Sequence, residues 1–126
     1  MSKILIVDDD VFITRMYERI FRLRNHEVVI VNEGDKTLEI LESMSPPPDL
    51  IALDVMMPKI NGLDLLTKIR SYDKYKDIPV VILTNSYGKE HEKEFKDLKI
   101  SSYLVKMENT PAEVVQKLED VIKTRN

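Results

Sequence analysis

Asp8, Asp9 and Asp10 follow the apolar run Lys3 to Val7, Asp54 follows Leu50 to Leu53, Thr84 follows Val80 to Leu83, and Lys106 follows Ser102 to Val105. Carboxylates crowded together repel and raise one another's pKa unless a cation neutralises them, and hard oxygen donors of this kind suit Mg²⁺ or Mn²⁺. The formal charges of Asp8, Asp9, Asp54 and Lys106 cancel against one divalent ion, which leaves the set ready for an anion. An ionised carboxylate can attack a phosphoryl group to form an aspartyl phosphate if cations screen the approach and hold the equatorial oxygens. For those oxygens Thr84 offers a hydroxyl donor and Lys106 a point charge.

Each residue alone has an ordinary reading. Acidic residues after a strand commonly cap a helix N-terminus, and a single aspartate in a turn commonly bonds neighbouring backbone. Thr84 could cap a helix and Lys106 could be a surface charge. Their common placement at strand ends makes them a set, because an open parallel sheet binds ligands beyond the carboxyl ends of its strands, where strand order reverses.

The elements that must do the placing are legible. Lys3 to Val7, Val28 to Val31, Leu50 to Leu53 and Val80 to Leu83 are unbroken branched apolar runs, with a weaker fifth at Ser102 to Val105. Such runs suit a parallel sheet covered on both faces. Between them, Ile13, Met16, Tyr17, Ile20 and Leu23 fall on one helical stripe, Leu38, Leu41 and Met44 on a second, and Leu65, Leu66 and Ile69 on a third that begins near Gly62. The segment from Lys89 to Asp97 is densely charged, with Phe95 and then Leu98 as its apolar anchors, so it predicts a lightly held fourth helix. Thr110, Pro111 and Glu113 form a capping box before the stripe Val114, Val115, Leu118, Val121 and Ile122. Fivefold alternation predicts an α/β fold with right-handed crossovers and helices on both faces. Ser45-Pro46-Pro47-Pro48-Asp49 reads as a stiff loop into the third strand.

Composition narrows the function classes. The 126 residues are 43% hydrophobic and 33% charged, which suits one domain, 1–126, without an output domain. Absence of cysteine excludes a disulfide scaffold and a thiol nucleophile. A net charge of -3 provides no general attraction to nucleic acid or anionic lipid. No apolar run approaches a membrane span, so the expectation is a cytoplasmic protein without membrane insertion or direct nucleic-acid contact.

The strings Ile4-Leu5-Ile6-Val7-Asp8-Asp9-Asp10, Leu53-Asp54-Val55-Met56-Met57-Pro58-Lys59-Ile60-Asn61-Gly62, Thr84 and Tyr103-Leu104-Val105-Lys106 together resemble the receiver domain of two-component response regulators. The resemblance covers essentially the whole chain and implies a flavodoxin-like, doubly wound, five-stranded parallel sheet of order 2-1-3-4-5 with five helices. By the same resemblance, Asp54 would accept a phosphoryl group from a sensor histidine kinase or phosphotransfer protein, with Thr84 and Lys106 assisting transfer and autodephosphorylation. Asp8, Asp9, Asp54 and the backbone carbonyl of Met56 would hold Mg²⁺, with Mn²⁺ as a substitute. Thr84 and Tyr103 would form a switch that remodels the face of the fourth helix, fifth strand and fifth helix toward a downstream protein target. Pro58 and Gly62 would shape the acceptor loop, proline by fixing φ and glycine by letting the third helix start close to the sheet.

Two departures stand out. Met107 follows the lysine where the family usually has proline, so a cis bond there is disfavoured. Asn85 follows Thr84 where a very small residue is common, so its amide is expected to affect phosphorylation and dephosphorylation rates. Two other functions fit these residues less well. An unphosphorylated adaptor would have no evident reason to keep Asp8, Asp9, Asp54, Thr84 and Lys106 together. An aspartate-nucleophile phosphatase needs a second acid two positions after the nucleophile, where this chain has Met56. His26 and His91 lack metal-ligand partners at suitable spacing and read as surface residues.

Overall fold

The computed structural model describes residues 2–85 and 92–124. Its branched apolar runs form five strands: β1 (Lys3–Val7), β2 (Glu27–Val31), β3 (Leu50–Asp54), β4 (Val80–Thr84) and β5 (Ser102–Val105). All neighbours pair in parallel, in the order β2-β1-β3-β4-β5. The described helices are α1 (Val11–Leu23), α2 (Thr37–Ser43), α3 (Gly62–Arg70), α4 (Glu92–Asp97) and α5 (Pro111–Thr124), with short 3₁₀ turns at Gly34–Lys36 and Lys106–Glu108. This is the flavodoxin-like fold expected from the sequence. The part of the expected fourth helix before Glu92, with His91, lies outside the described residues.

Because strand side chains alternate between faces, the sheet feeds two cores. Leu5, Val7, Ile51 and Leu53 meet Leu41 of α2, Leu65, Leu66 and Ile69 of α3, and Phe95 of α4. Ile4, Ile6, Leu50 and Ala52 meet Tyr17 and Phe21 of α1 with Val114, Val115 and Leu118 of α5. Parallel pairing carries every strand's carboxyl end to the same edge, so Asp8, Asp54, Thr84 and Lys106 converge whatever their separation in sequence.

The α1 stripe needs correction. Ile13, Tyr17 and Ile20 face the core as expected, but Met16 and Leu23 are 51% and 77% exposed. At about 100° per residue the buried arc runs through Thr14, Tyr17 and Phe21, and it leaves Met16 and Leu23 beyond its edge. His26 also departs from its expected surface role. It is half-buried, its Nδ1 accepts from the Ser2 N–H at 3.1 Å, and its Nε2 lies 2.7 Å from Glu119 Oε2. The α5 capping box forms as expected, with the Thr110 N–H donating to Glu113 and the Glu113 N–H to Thr110. Among the described residues the cis peptide bond falls at Ser45–Pro46 and not after Lys106. No helix among them is long and apolar enough to cross a membrane.

Candidate functional site

The three consecutive aspartates divide their work. Asp10 caps α1, its Oδ1 accepting from the Ile13 N–H at 3.1 Å. Asp8 is completely buried at the end of β1, where Oδ1 accepts from the Asp10 N–H at 3.0 Å and Oδ2 from Lys106 Nζ at 2.8 Å. Asp9 is exposed at the rim. Across the β1–β3 boundary, the buried Asp54 accepts from the Met56 N–H at 3.3 Å and from Lys106 Nζ at 3.4 Å. One lysine on the 3₁₀ turn after β5 therefore bridges two carboxylates from the central strands.

Burial, and then the neighbouring charge of Asp8, push the Asp54 carboxyl up to about 7 against the opposing pull of Lys106. For Lys106, burial alone would lower its pKa, but its hydrogen bond and charge pairing with Asp8, joined by Asp54, raise it, so it stays charged. Tyr17 of α1 is pushed upward by burial and then by Asp8, Asp10 and Asp54.

Ligand oxygens of Asp8, Asp9 and Asp54 all lie within 4.8 Å of one another. Three hard donors this close, two of them buried, fit a divalent cation such as Mg²⁺ or Mn²⁺. Asp9, Asp10, Asp54, Met56, Thr84, Asn85 and Lys106 line one cleft at the sheet edge. Met56 is an exposed member of this lining, and Thr84 is fully buried. Tyr103 stands outside the lining, half-buried on β5, its ring centroid 6.1 Å from that of Phe95 in α4.

The acceptor loop is shaped by steric limits. A Cβ at Gly62 would lie 2.6 Å from the Asp54 carbonyl oxygen and 2.7 Å from Val55 Cα, too close for any other residue without backbone movement. The Gly62 N–H donates to the Val55 carbonyl at 2.7 Å, which seals that approach. The Ile60 N–H bonds the Pro58 carbonyl at 2.8 Å around Lys59, whose φ of 72° makes a strained three-residue turn. Asn61 then caps α3, accepting from the Asp64 N–H at 2.8 Å.

Two residues beside these aspartates are not marked as site residues by the sequence pattern: Tyr17, which reads as core, and Asn32, directly after β2 and bonded to the Asp8 carbonyl. The signal for Asn32 is a lone amide at the carboxyl end of a strand, the same position that marks the aspartates.

The fold and cleft define a doubly wound α/β domain with a cation-suited acidic pocket at its topological switch point. The chain belongs to the response regulator receiver domain family, whose model matches residues 4–119. It is therefore a receiver of two-component signalling, the class the sequence resemblance implied. It is 40% identical over 84 residues to the transcriptional regulatory protein CpxR homolog of Haemophilus influenzae, a match covering 67% of this chain and 34% of that one. The chain thus spans about a third of the CpxR relatives it matches. It is 33% identical to chemotaxis protein CheY1 of Helicobacter pylori over 98% of this chain and 99% of that one. Its structure resembles the Mn²⁺-bound form of response regulator Rcp1, with a TM-score of 0.78 and 29% identity over 98% of this chain and 88% of that one.

Proposed function

We propose that Asp54 is the phosphoryl acceptor of this receiver, supplied by a phosphohistidine on a sensor kinase or phosphotransfer protein. The observation that carries this reading is Lys106 Nζ, 2.8 Å from Asp8 and 3.4 Å from Asp54, at an edge where three carboxylates lie within cation-sharing distance. An oxygen of Asp54 attacks phosphorus; the new O–P bond forms as the N–P bond breaks, and its electron pair returns to the donor imidazole. Lys106, held charged by both aspartates, neutralises an equatorial oxygen, and the Thr84 hydroxyl donates to another. Asp8, Asp9, Asp54 and the Met56 carbonyl would hold a divalent cation, which would supply positive charge to the transferring phosphoryl group. In a separate hydrolytic step water attacks phosphorus, the Asp54 O–P bond breaks, inorganic phosphate departs with the water oxygen and Asp54 is restored as carboxylate, which makes the domain an assistant of its own dephosphorylation and not a turnover enzyme.

Output follows from Thr84 and Tyr103. Attraction of the Thr84 hydroxyl to the phosphoryl group moves the end of β4. Tyr103, packed beside Phe95, carries that movement to α4 and the α4–β5–α5 face, where a downstream protein binds. Mn²⁺ in the Rcp1 structure and the fit of the donor set both support the cation assignment.

Incubation with acetyl phosphate and Mg²⁺, followed by intact-mass measurement, tests the reading. The expected result is a gain of one phosphoryl unit that is absent in Asp54→Asn and after chelation. No gain with small-molecule donors or any kinase would favour a constitutive adaptor.

A further inference from the structure

Asp8 is tied to the end of β2 through both of its main-chain groups. Its N–H donates to the Val31 carbonyl at 3.0 Å, and its carbonyl accepts from Asn32 Nδ2 at 2.8 Å. The β1–β2 register ends at Val7 and Val31, so the Asn32 side chain adds a rung where backbone pairing stops. The same nitrogen lies 3.2 Å from Thr14 Oγ1 as donor, and this buried hydroxyl donates onward to the Val11 carbonyl at 3.1 Å. Both hydrogens of one planar amide are therefore used. One holds the end of β1, the other holds the first turn of α1, and the Asp8-Asp9-Asp10 turn lies between them.

We propose that Asn32 is a positioning residue for divalent-cation binding: its amide sets the gap between β1 and α1, and so places the Asp8 and Asp9 carboxylates opposite Asp54. The proposal rests on reading those three aspartates as cation ligands. A group that orients ligands without touching the ion acts on affinity, because a misplaced carboxylate must be drawn back into place before it can share the charge. Truncating Asn32 would also leave the Asp8 carbonyl and the Thr14 hydroxyl without their donor, in a partly buried place where each was satisfied.

Titration of the full chain with Mn²⁺, following free ion by electron paramagnetic resonance, tests this. Asn32→Ala and the near-isosteric, donor-free Asn32→Leu are expected to weaken Mn²⁺ binding about tenfold. Thr14→Val removes one arm and is expected to cost about threefold, and the Asn32→Ala/Thr14→Val pair should cost less than the product, since both act through one amide. Glu119→Ala, at the other end of the sheet, should leave Mn²⁺ affinity unchanged and so separates positioning from general loss of stability. Wild-type affinity in folded Asn32→Ala and Asn32→Leu overturns the inference while the cation reading stands. Failure of the wild type itself to bind Mn²⁺ overturns both. If neither Asn32 variant folds, Thr14→Val decides: weaker binding supports the role, and unchanged affinity removes it.

Discussion

The two ends of the sheet treat charge in opposite ways. At the amino end, Arg24 donates to Gln116 at 3.1 Å and to Glu119, His26 bridges Glu119 and the Ser2 N–H, and the Lys3 N–H donates to Asp49 at 2.8 Å. Burial alone would raise the Glu119 carboxyl, but hydrogen bonds from His26 and Arg24 outweigh it and hold the group below its ordinary 4.5. At the carboxyl end, burial and Asp8 drive Asp54 the other way. Both ends set acidic side chains against basic ones. The difference is that one end closes its charges on each other, whereas the other buries more negative charge than Lys106 can match, an imbalance that the proposed cation would neutralise.

Three substitutions test that contrast. The largest stability effect is expected at Gly62: in Gly62→Ala the new methyl meets the Asp54 carbonyl, costing about 3 kcal/mol and lowering the phosphorylation rate together, as read by urea midpoint and intact mass. Asp54→Asn should do the reverse to stability. In chelator at pH 8 it is expected to stabilise the fold by roughly 2 kcal/mol, because it removes a carboxylate the folded state holds at a penalty. The sign follows from proton uptake: between about pH 4 and 7 the folded protein binds more protons at Asp54 than the unfolded chain, so stability falls as pH rises through that window. Asp54→Asn should flatten this slope, and an unchanged slope would mean that Asp54 is not the uncompensated group. The smallest effect is expected for Glu119→Ala, a loss of about 1 kcal/mol with phosphoryl gain untouched. Its stabilisation is present above pH 4.5 and lost as pH falls through the lowered folded value, so the variant and wild type should converge in acid.

Much of the fold was legible because unbroken branched runs admit one architecture. The runs read from sequence match the strands to within a residue, with β2 starting at Glu27 and β3 and β4 reaching Asp54 and Thr84. Convergence of the aspartates, Thr84 and Lys106 was legible for the same reason, since parallel pairing brings strand ends together without any knowledge of side-chain contacts. Contacts set by tertiary approach were not. Glu119 lies 93 residues from His26, and nothing in the local pattern of either announces the other. Arg70 reads as the last turn of α3, yet its guanidinium holds the carbonyls of Tyr75, Ile78, Leu98 and Lys99, bracing the chain just beyond α4. The lightly held α4 inferred from its charge is thus tethered at one end by a residue from another helix. Met16 and Leu23 lie outside the core because a stripe drawn from apolar identity alone is wider than the arc that reaches the sheet.

The division of labour among Asp8, Asp9 and Asp10 means that three identical letters are not interchangeable copies. The helix start fixes which of them must cap, and the strand end fixes which must be buried beside Lys106. A one-residue deletion in this run would leave two carboxylates for three tasks, and an insertion would slide the cap away from α1. The turn should accept exchanges of side chain more readily than any change in its length.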